Sequence, residues 1–275
     1  MLEQITPLIL TYNEAPNIGR TLEMLHWARD LVVVDSFSED ETLEIVSHFS
    51  SVRVFQRAFD DFASQWQFGL KETGISTEWV LALDADFVLT DKLVEELKSL
   101  RPAENVAGYK IPLTYCVHGK SLRSSLLPSL TVLYKRGRAS CSPDGHTHRV
   151  SIEGSIGNLQ SRILHDDRKP LSRWLSTQSV HTVLEGKKLL ASDPHQLNLA
   201  DRIRLLRIVA PVLVAFYCLV YRGGILDGWS GFYYAFQRIL AEMLLSLYLI
   251  EADLGYGPRE LKVQTQLRSD SVEQV

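Results

Sequence analysis

The sequence predicts an α/β protein, a mostly parallel sheet with helices on its faces, followed by a helical C-terminal region. Two observations carry this prediction. In the N-terminal part short apolar runs alternate with helical patterns, as strand–helix–strand units require. From Ile208 onward longer apolar stretches replace that alternation.

Ile5 to Leu10 is a buried strand, and a helix opens at Asn17, an N-cap that puts Ile18, Leu22 and Leu25 on one face. Leu31 to Val34 is a second, β-branched strand, after which Ser38 and Glu41 have capping-box spacing for the next helix. Val52 to Phe55 is a third strand, Phe62 to Glu72 a helix, and Trp79 to Leu83 a fourth strand. From Ala107 to Leu164 the runs are shorter (Tyr109 to Leu113, Leu130 to Tyr134, Arg149 to Ile152), which predicts antiparallel additions and loops on an acceptor side. The polar stretch Ser192 to Asn198 marks a boundary between a domain over 1–191 and a helical region over 192–275.

The composition, 45% hydrophobic and 23% charged over 275 residues, is that of a globular protein. A net charge of -4 argues against nucleic-acid binding, which needs excess positive charge. Locally the balance reverses. Between Lys120 and Arg173 ten basic residues stand against four acidic ones, either a solvated face or a surface that meets an anionic substrate. The three cysteines have no metal-ligand spacing, and no signal peptide is read at the N-terminus, so a cytoplasmic protein is expected.

Ile208 to Tyr221 is too short to span a bilayer, which takes about 20 apolar residues. Gly231 to Ile250 is apolar nearly all round, with Arg238, Glu242 and Ser246 in a narrow polar stripe. Arg202, Arg204 and Arg207, together with the aromatic residues Tyr217, Tyr221, Trp229, Tyr233 and Tyr234, favour a helix lying at the inner face of the cytoplasmic membrane. A soluble helical appendage or dimer interface is the alternative.

Ligands of parallel sheets bind beyond the carboxyl ends of the strands. There the chain places Asp84-Ala85-Asp86 after the fourth strand, Thr11-Tyr12-Asn13-Glu14 after the first, and Asp35-Ser36 after the second. Two carboxylates at i and i+2 suit Mg²⁺ or Mn²⁺, which prefer oxygen ligands shared with substrate phosphates. Asp35 can accept a hydrogen bond from a nucleobase or ribose, and Gln67 and Lys71 on the third helix are candidates for the same crevice.

The runs TYNEAPNIGRTL, VVVDSFSEDET and LALDAD together resemble the inverting family 2 glycosyltransferases. DGHTHRV, ILHDDRKPLSRWL and ILDGWSGFYYAFQR resemble that family's lipopolysaccharide-core subgroup, which includes enzymes that add β-glucose to an inner-core heptose. The resemblance implies a GT-A-type Rossmann-like sheet and a UDP-sugar donor, glucose favoured. With the basic Lys120 to Arg173 segment and the apolar C-terminal helices, an anionic glycolipid acceptor and an enzyme peripheral to the inner membrane are expected. By resemblance Thr11, Tyr12, Glu14 and Asp35 bind the donor, Asp84 and Asp86 the metal and its diphosphate, and His165 completes the metal shell. Arg168 is a candidate diphosphate clamp.

An inverting transferase also needs a general base. Related sequences carry His-Glu where this chain has His148-Arg149, so the candidates are Asp144, Asp166 and Asp167, with Asp144 favoured for its place in a Gly-containing loop. A nucleotidyltransferase would show a Gly-rich basic loop where TYNEAPN stands. A soluble family 2 enzyme with another acceptor and a non-catalytic membrane-surface module are the remaining alternatives.

Overall fold

Four strands run parallel because the first three are each followed by a helix that returns the chain to the starting edge of the sheet. The computed structural model describes residues 1–144, 147–193, 195 and 197–256. The chain divides into two units, the first ending at Pro170 and the second opening at Leu171.

In the first unit β1 (Ile5–Thr11), β2 (Leu31–Asp35), β3 (Val52–Gln56) and β4 (Trp79–Asp84) alternate with α1 (Ile18–Glu23), α2 (Thr42–Ser47) and α3 (Phe62–Lys71). β5 (Phe87–Leu89), α4 (Asp91–Ser99), β6 (Val106–Ile111), β7 (Leu113–Val117), β8 (Lys120–Ser121) and β9 (Leu130–Lys135) follow. β10 (Ala139–Asp144), β11 (Thr147–Ile152), β12 (Ser155–Asn158) and β13 (Ile163–His165) complete the unit. The main sheet has the order β12-β6-β9-β4-β1-β2-β3, a second has the order β5-β13-β7-β8, and β10 and β11 form a hairpin. β1 to β4 are mutually parallel, and β9 is antiparallel to both β4 and β6. This is the mostly parallel sheet the sequence predicts, with the antiparallel additions where they are expected.

β1, β2 and β4 are apolar on both faces because helices cover both. Ile5, Ile9, Val33, Leu81 and Leu83 pack with Ile18 and Leu22 of α1. Leu8, Val32, Val34, Val80 and Ala82 pack with Trp66 and Leu70 of α3. The core thereby fixes the strand ends to which the polar loops are attached.

Two predicted caps are used otherwise. Ser38 does not cap α2, whose N-cap is Glu41; its hydroxyl bonds Asp35 at 2.5 Å. Asn17 is the N-cap of α1 but makes no capping hydrogen bond, since its side chain reaches out of the helix to four other groups described below.

The second unit contains α5 (Leu171–Ala191), α6 (Leu199–Arg204), α7 (Val209–Phe216) and α8 (Trp229–Asp253). α5 lies before the predicted boundary yet belongs here because it packs on α8; Gly186 leaves room for Tyr248, whose ring carbon would lie 2.2 Å from an added Cβ. The polar stripe of α8 faces inward. Glu242 and Ser246 are buried, Glu242 pairs with Arg204 at 2.8 Å, and Ser246 donates to the Arg207 carbonyl at 2.6 Å. Outward stand Trp229, Tyr233, Phe236, Met243 and Leu247. Among the described residues no helix is long and apolar enough to cross a membrane.

The turn leading into β13 hangs on one side chain of α4. Glu96 accepts hydrogen bonds from the backbone N–H groups of Gln160 (2.9 Å) and Ser161 (2.8 Å). Burial opposes its charge, but these donors prevail and hold the carboxyl below its ordinary value of 4.5. The stabilisation is therefore complete above that ordinary value and is lost as pH falls through the depressed one. Glu96→Ala should cost about 1–2 kcal/mol at neutral pH. Thermal melts across a pH series should show the gap from the unmodified protein closing in acid.

Candidate active site

Asp84 ends β4, and Ala85 and Asp86 form the turn into β5. The turn is held from two directions. The buried Thr21 hydroxyl of α1 donates to the Ala85 carbonyl at 2.7 Å, and the Asp166 N–H donates to the Asp86 carbonyl at 3.0 Å. The second contact follows from strand pairing: β13 runs antiparallel to β5 with His165 opposite Phe87. That register sets His165 Nε2 3.0 Å from Asp86 Oδ2. The rings of Phe87 and Tyr115 stand edge-on to the imidazole, each with its centroid 5.1 Å away.

The electrostatics are those of crowded acids met by two cations. Asp84 is reached by solvent yet ringed by protein; desolvation, then the neighbouring Asp86, raise its carboxyl to about 6. Burial works against the Asp86 charge, but the charge and hydrogen bond of His165 outweigh it, so this carboxyl is held low. Burial likewise opposes charge on His165, and Asp86, then Asp84 and Asp167, reverse that and raise the imidazole to about 9. Lys169 Nζ lies 2.5 Å from Glu14 Oε1. Burial raises Glu14 to about 7, with Lys169 opposing and Asp86 reinforcing the rise.

Two carboxylates and an imidazole are a donor set that suits Mg²⁺ or Mn²⁺. Asp86 Oδ1 and His165 Nδ1 are both buried without a hydrogen-bond partner. Such an orphaned acceptor is costly unless a ligand completes it, and Oδ1 is an oxygen a cation would take. Among the described residues no three His, Cys, Asp or Glu side chains are already gathered in metal-binding geometry; Asp86 and His165 bond each other instead.

Around this centre the acidic candidates have different fates. Asp166 is buried, and its Oδ2 accepts from Arg20 (2.6 Å) and Arg168 (2.9 Å) while its Oδ1 accepts from the Gly119 N–H (2.8 Å). Asp167 Oδ1 accepts from Asn17 Nδ2 and the Lys169 N–H, both at 3.0 Å. Its Oδ2 is the carboxylate oxygen these donors leave open. Asp144 is not free in a loop. It pairs across the β10–β11 hairpin with Thr147 in register, and Arg149 binds its carboxylate at 2.8 Å. The Arg that replaces the expected Glu thus consumes the carboxylate that would have compensated for it.

The donor-side candidates also divide. Thr11 donates to Asp35 Oδ1 at 2.9 Å, and Asp35, fully buried, accepts further from Ser38 N–H and from Gln56 Nε2. Glu14 faces Asn17 and Lys169, and Arg168 binds Asp166. Tyr12 is half-buried at the end of β1. On α3 the inward residue is Gln65, fully buried and donating to Ser36 Oγ at 2.9 Å, whereas Gln67 is only partly buried. Lys71 lies at the other end of the sheet. A helix joining parallel strands runs back from their carboxyl ends, so six residues past Gln65 it is about 9 Å further along the axis.

Asn17, Arg20 and Thr21 were legible only as helix residues, and they prove central. Asn17 is fully buried; its Nδ2 donates to Glu14 and Asp167, and its Oδ1 accepts from Arg20 (2.8 Å) and the Arg168 N–H (2.9 Å). Their one sequence signal is polar residues at i, i+3 and i+4, a second face on a helix whose other face is apolar.

Residues 8–122 match the family model described as glycosyl transferase family 2. The match covers less than half of the chain. It spans β1 to β8 and includes the Asp84–Asp86 turn, while His165 and the acids beyond it come from outside the match. The chain is 24% identical over 239 residues to the lipopolysaccharide core biosynthesis glycosyltransferase LpsC of Rhizobium meliloti (strain 1021), covering 83% of this chain and 85% of that protein. It is 27% identical over 210 residues to an uncharacterized glycosyltransferase of Rickettsia prowazekii (strain Madrid E), covering 68% of this chain and 71% of that one. Among solved structures, S. aureus TarS in complex with UDP-GlcNAc aligns at a TM-score of 0.45 and 13% identity over 91% of this chain and 92% of that chain.

Asp166, committed to two arginines, is assigned here to holding the site together. Asp166→Ala should cost roughly 2–4 kcal/mol by stranding Arg20 and Arg168, and calorimetry should show a lowered Tm. An unchanged Tm with lost activity would place Asp166 in the chemistry instead.

Proposed function

We propose that the chain transfers a sugar, glucose favoured, from a UDP-sugar to a hydroxyl of an anionic lipopolysaccharide-core glycolipid, inverting the anomeric carbon. The observation that carries this is the buried, unpartnered Asp86 Oδ1 beside Asp84, at the carboxyl end of β4 within the segment that matches the family 2 model. Asp84, Asp86 and His165 would hold Mg²⁺ or Mn²⁺, which would supply positive charge to a leaving diphosphate. Thr11, Tyr12 and the loop shaped by Asp35 bind the nucleoside side of the donor.

For the base, the hydrogen bonding favours Asp167 over the sequence favourite Asp144. One oxygen of Asp167 is positioned by Asn17 and the Lys169 N–H, and the other remains to accept the acceptor hydroxyl's proton. Asp166 has neither oxygen available, and Asp144 is held by Arg149. Lys169 and Glu14 pair beside the same acids.

The inverted helix α8 supports a membrane-surface location. Its polar stripe is spent on Arg204 and Arg207, while Trp229 (88% exposed), Phe236 and Leu247 face outward, joined by Val212, Phe216 and Leu226. Exposed apolar surface of this extent favours an interfacial environment. Lys120, Arg123 and Arg138, all exposed, are a basic surface for an acceptor that carries phosphate or carboxylate.

Asp86→Ala should abolish sugar transfer and UDP-sugar hydrolysis, followed as UDP release with a heptose-containing core acceptor; retained turnover would contradict the assignment. Asp167→Asn should keep its Tm and lose at least about 100-fold in kcat. Because His165 stays protonated up to about pH 9, binding a metal must displace its proton. Titration calorimetry of Mn²⁺ near neutral pH, in buffers of different ionisation heat, should report about one proton released. Affinity should rise with pH up to that value, and His165→Ala should lose the released proton.

A further inference from the structure

Phe37 adopts a backbone conformation that suits glycine, with φ of 61°. For a bulky residue this is a true outlier, and such strain persists only where the surroundings over-determine it and the side chain is wanted. Here the surroundings do over-determine it. On one side the Ser36 N–H donates to the Thr11 carbonyl at 2.9 Å, and Gln65 donates to Ser36 Oγ. On the other side the Ser38 N–H and hydroxyl both bind Asp35, and the Asn13 N–H donates to Ser38 Oγ at 2.9 Å. Asn13, itself at φ of 54°, accepts from the Glu39 N–H at 2.8 Å, so the loops after β1 and β2 are stitched together around Phe37.

The ring lies outside the apolar core of the sheet. Phe37 is 52% exposed and belongs to neither of the two apolar clusters that fill the faces of the main sheet. Glycine would relieve the backbone conformation, and the half of the ring left open to solvent is available to a partner outside the chain. It stands two residues past Asp35, on the crest between the ends of β1 and β2.

We infer that Phe37 is a stacking platform for the planar base of the nucleotide donor, positioned by a loop rigid enough to hold it against strain. This rests on the donor-binding reading above. A stacked base contributes about 1–3 kcal/mol when its aromatic partner is removed, or roughly 5–150-fold in affinity.

The test compares the unmodified protein with Phe37→Gly and Phe37→Trp, titrated with UDP and separately with inorganic pyrophosphate, Mn²⁺ present throughout. The expected result is that Phe37→Gly melts at the same or a higher temperature, binds UDP at least about fivefold more weakly and binds pyrophosphate unchanged. Phe37→Trp should restore UDP affinity. Unchanged UDP affinity in Phe37→Gly overturns the inference while leaving the donor reading intact. Equal weakening toward UDP and pyrophosphate also overturns it, since that reports a deformed loop. If the unmodified protein binds no UDP, both the inference and the donor reading fail.

Discussion

Asp86 is a carboxylate buried where charge is expensive, and the arrangement of the first unit follows from how that charge is met. An ionised group in such a place needs a close partner of opposite sign. His165 supplies it, and does so only because β13 pairs antiparallel with β5 and sets the imidazole opposite Phe87. The same pairing draws Asp166, Asp167 and Arg168 against Asn17 and Arg20, and Lys169 against Glu14. The turn carrying both aspartates is thus fixed by its own strand, by Thr21 beneath it and by a strand that arrives some eighty residues later.

That dependence explains what could be read from the chain. β1, β2 and β4 were legible because helices cover both faces of their sheet, leaving apolar runs bounded by polar loops, and β3 because its β-branched and aromatic residues fit an edge strand. Asp84 and Asp86 were legible because they follow one of those runs directly. His165 was reachable only through resemblance: nothing local in Ile163 to His165 announces that it will lie beside Asp86. The direction of α3, which carries Lys71 away from the strand ends, and the ion pair of Asp144 with Arg149 are both invisible in a linear pattern. Ser38 shows a further limit. Its spacing from Glu41 fits a cap, yet a buried Asp35 three residues earlier competes for the same hydroxyl and wins.

The second unit inverts the usual logic of an amphipathic helix. The stripe of Arg238, Glu242 and Ser246 was visible in the sequence, but not the direction in which it faces. Arg204 decides it: one guanidinium gathers Glu242, Asp201 and, at 3.7 Å, Glu185, so the polar side of α8 turns inward and its apolar side is left outside. A half-buried cation with three acidic neighbours is a strong orienting device whatever its net contribution to stability.

The central claim is that Asp84, Asp86 and His165 form a metal site at the nucleotide end of the sheet. Anomalous diffraction from crystals grown with Mn²⁺ and UDP tests it most directly. The account predicts one strong peak within bonding distance of Asp86 Oδ1 and Asp84, with the imidazole of His165 turned to the ion and the diphosphate on its open side. UDP bound at the ends of β1 and β2 with no ion at these residues, or an ion held elsewhere, would contradict it.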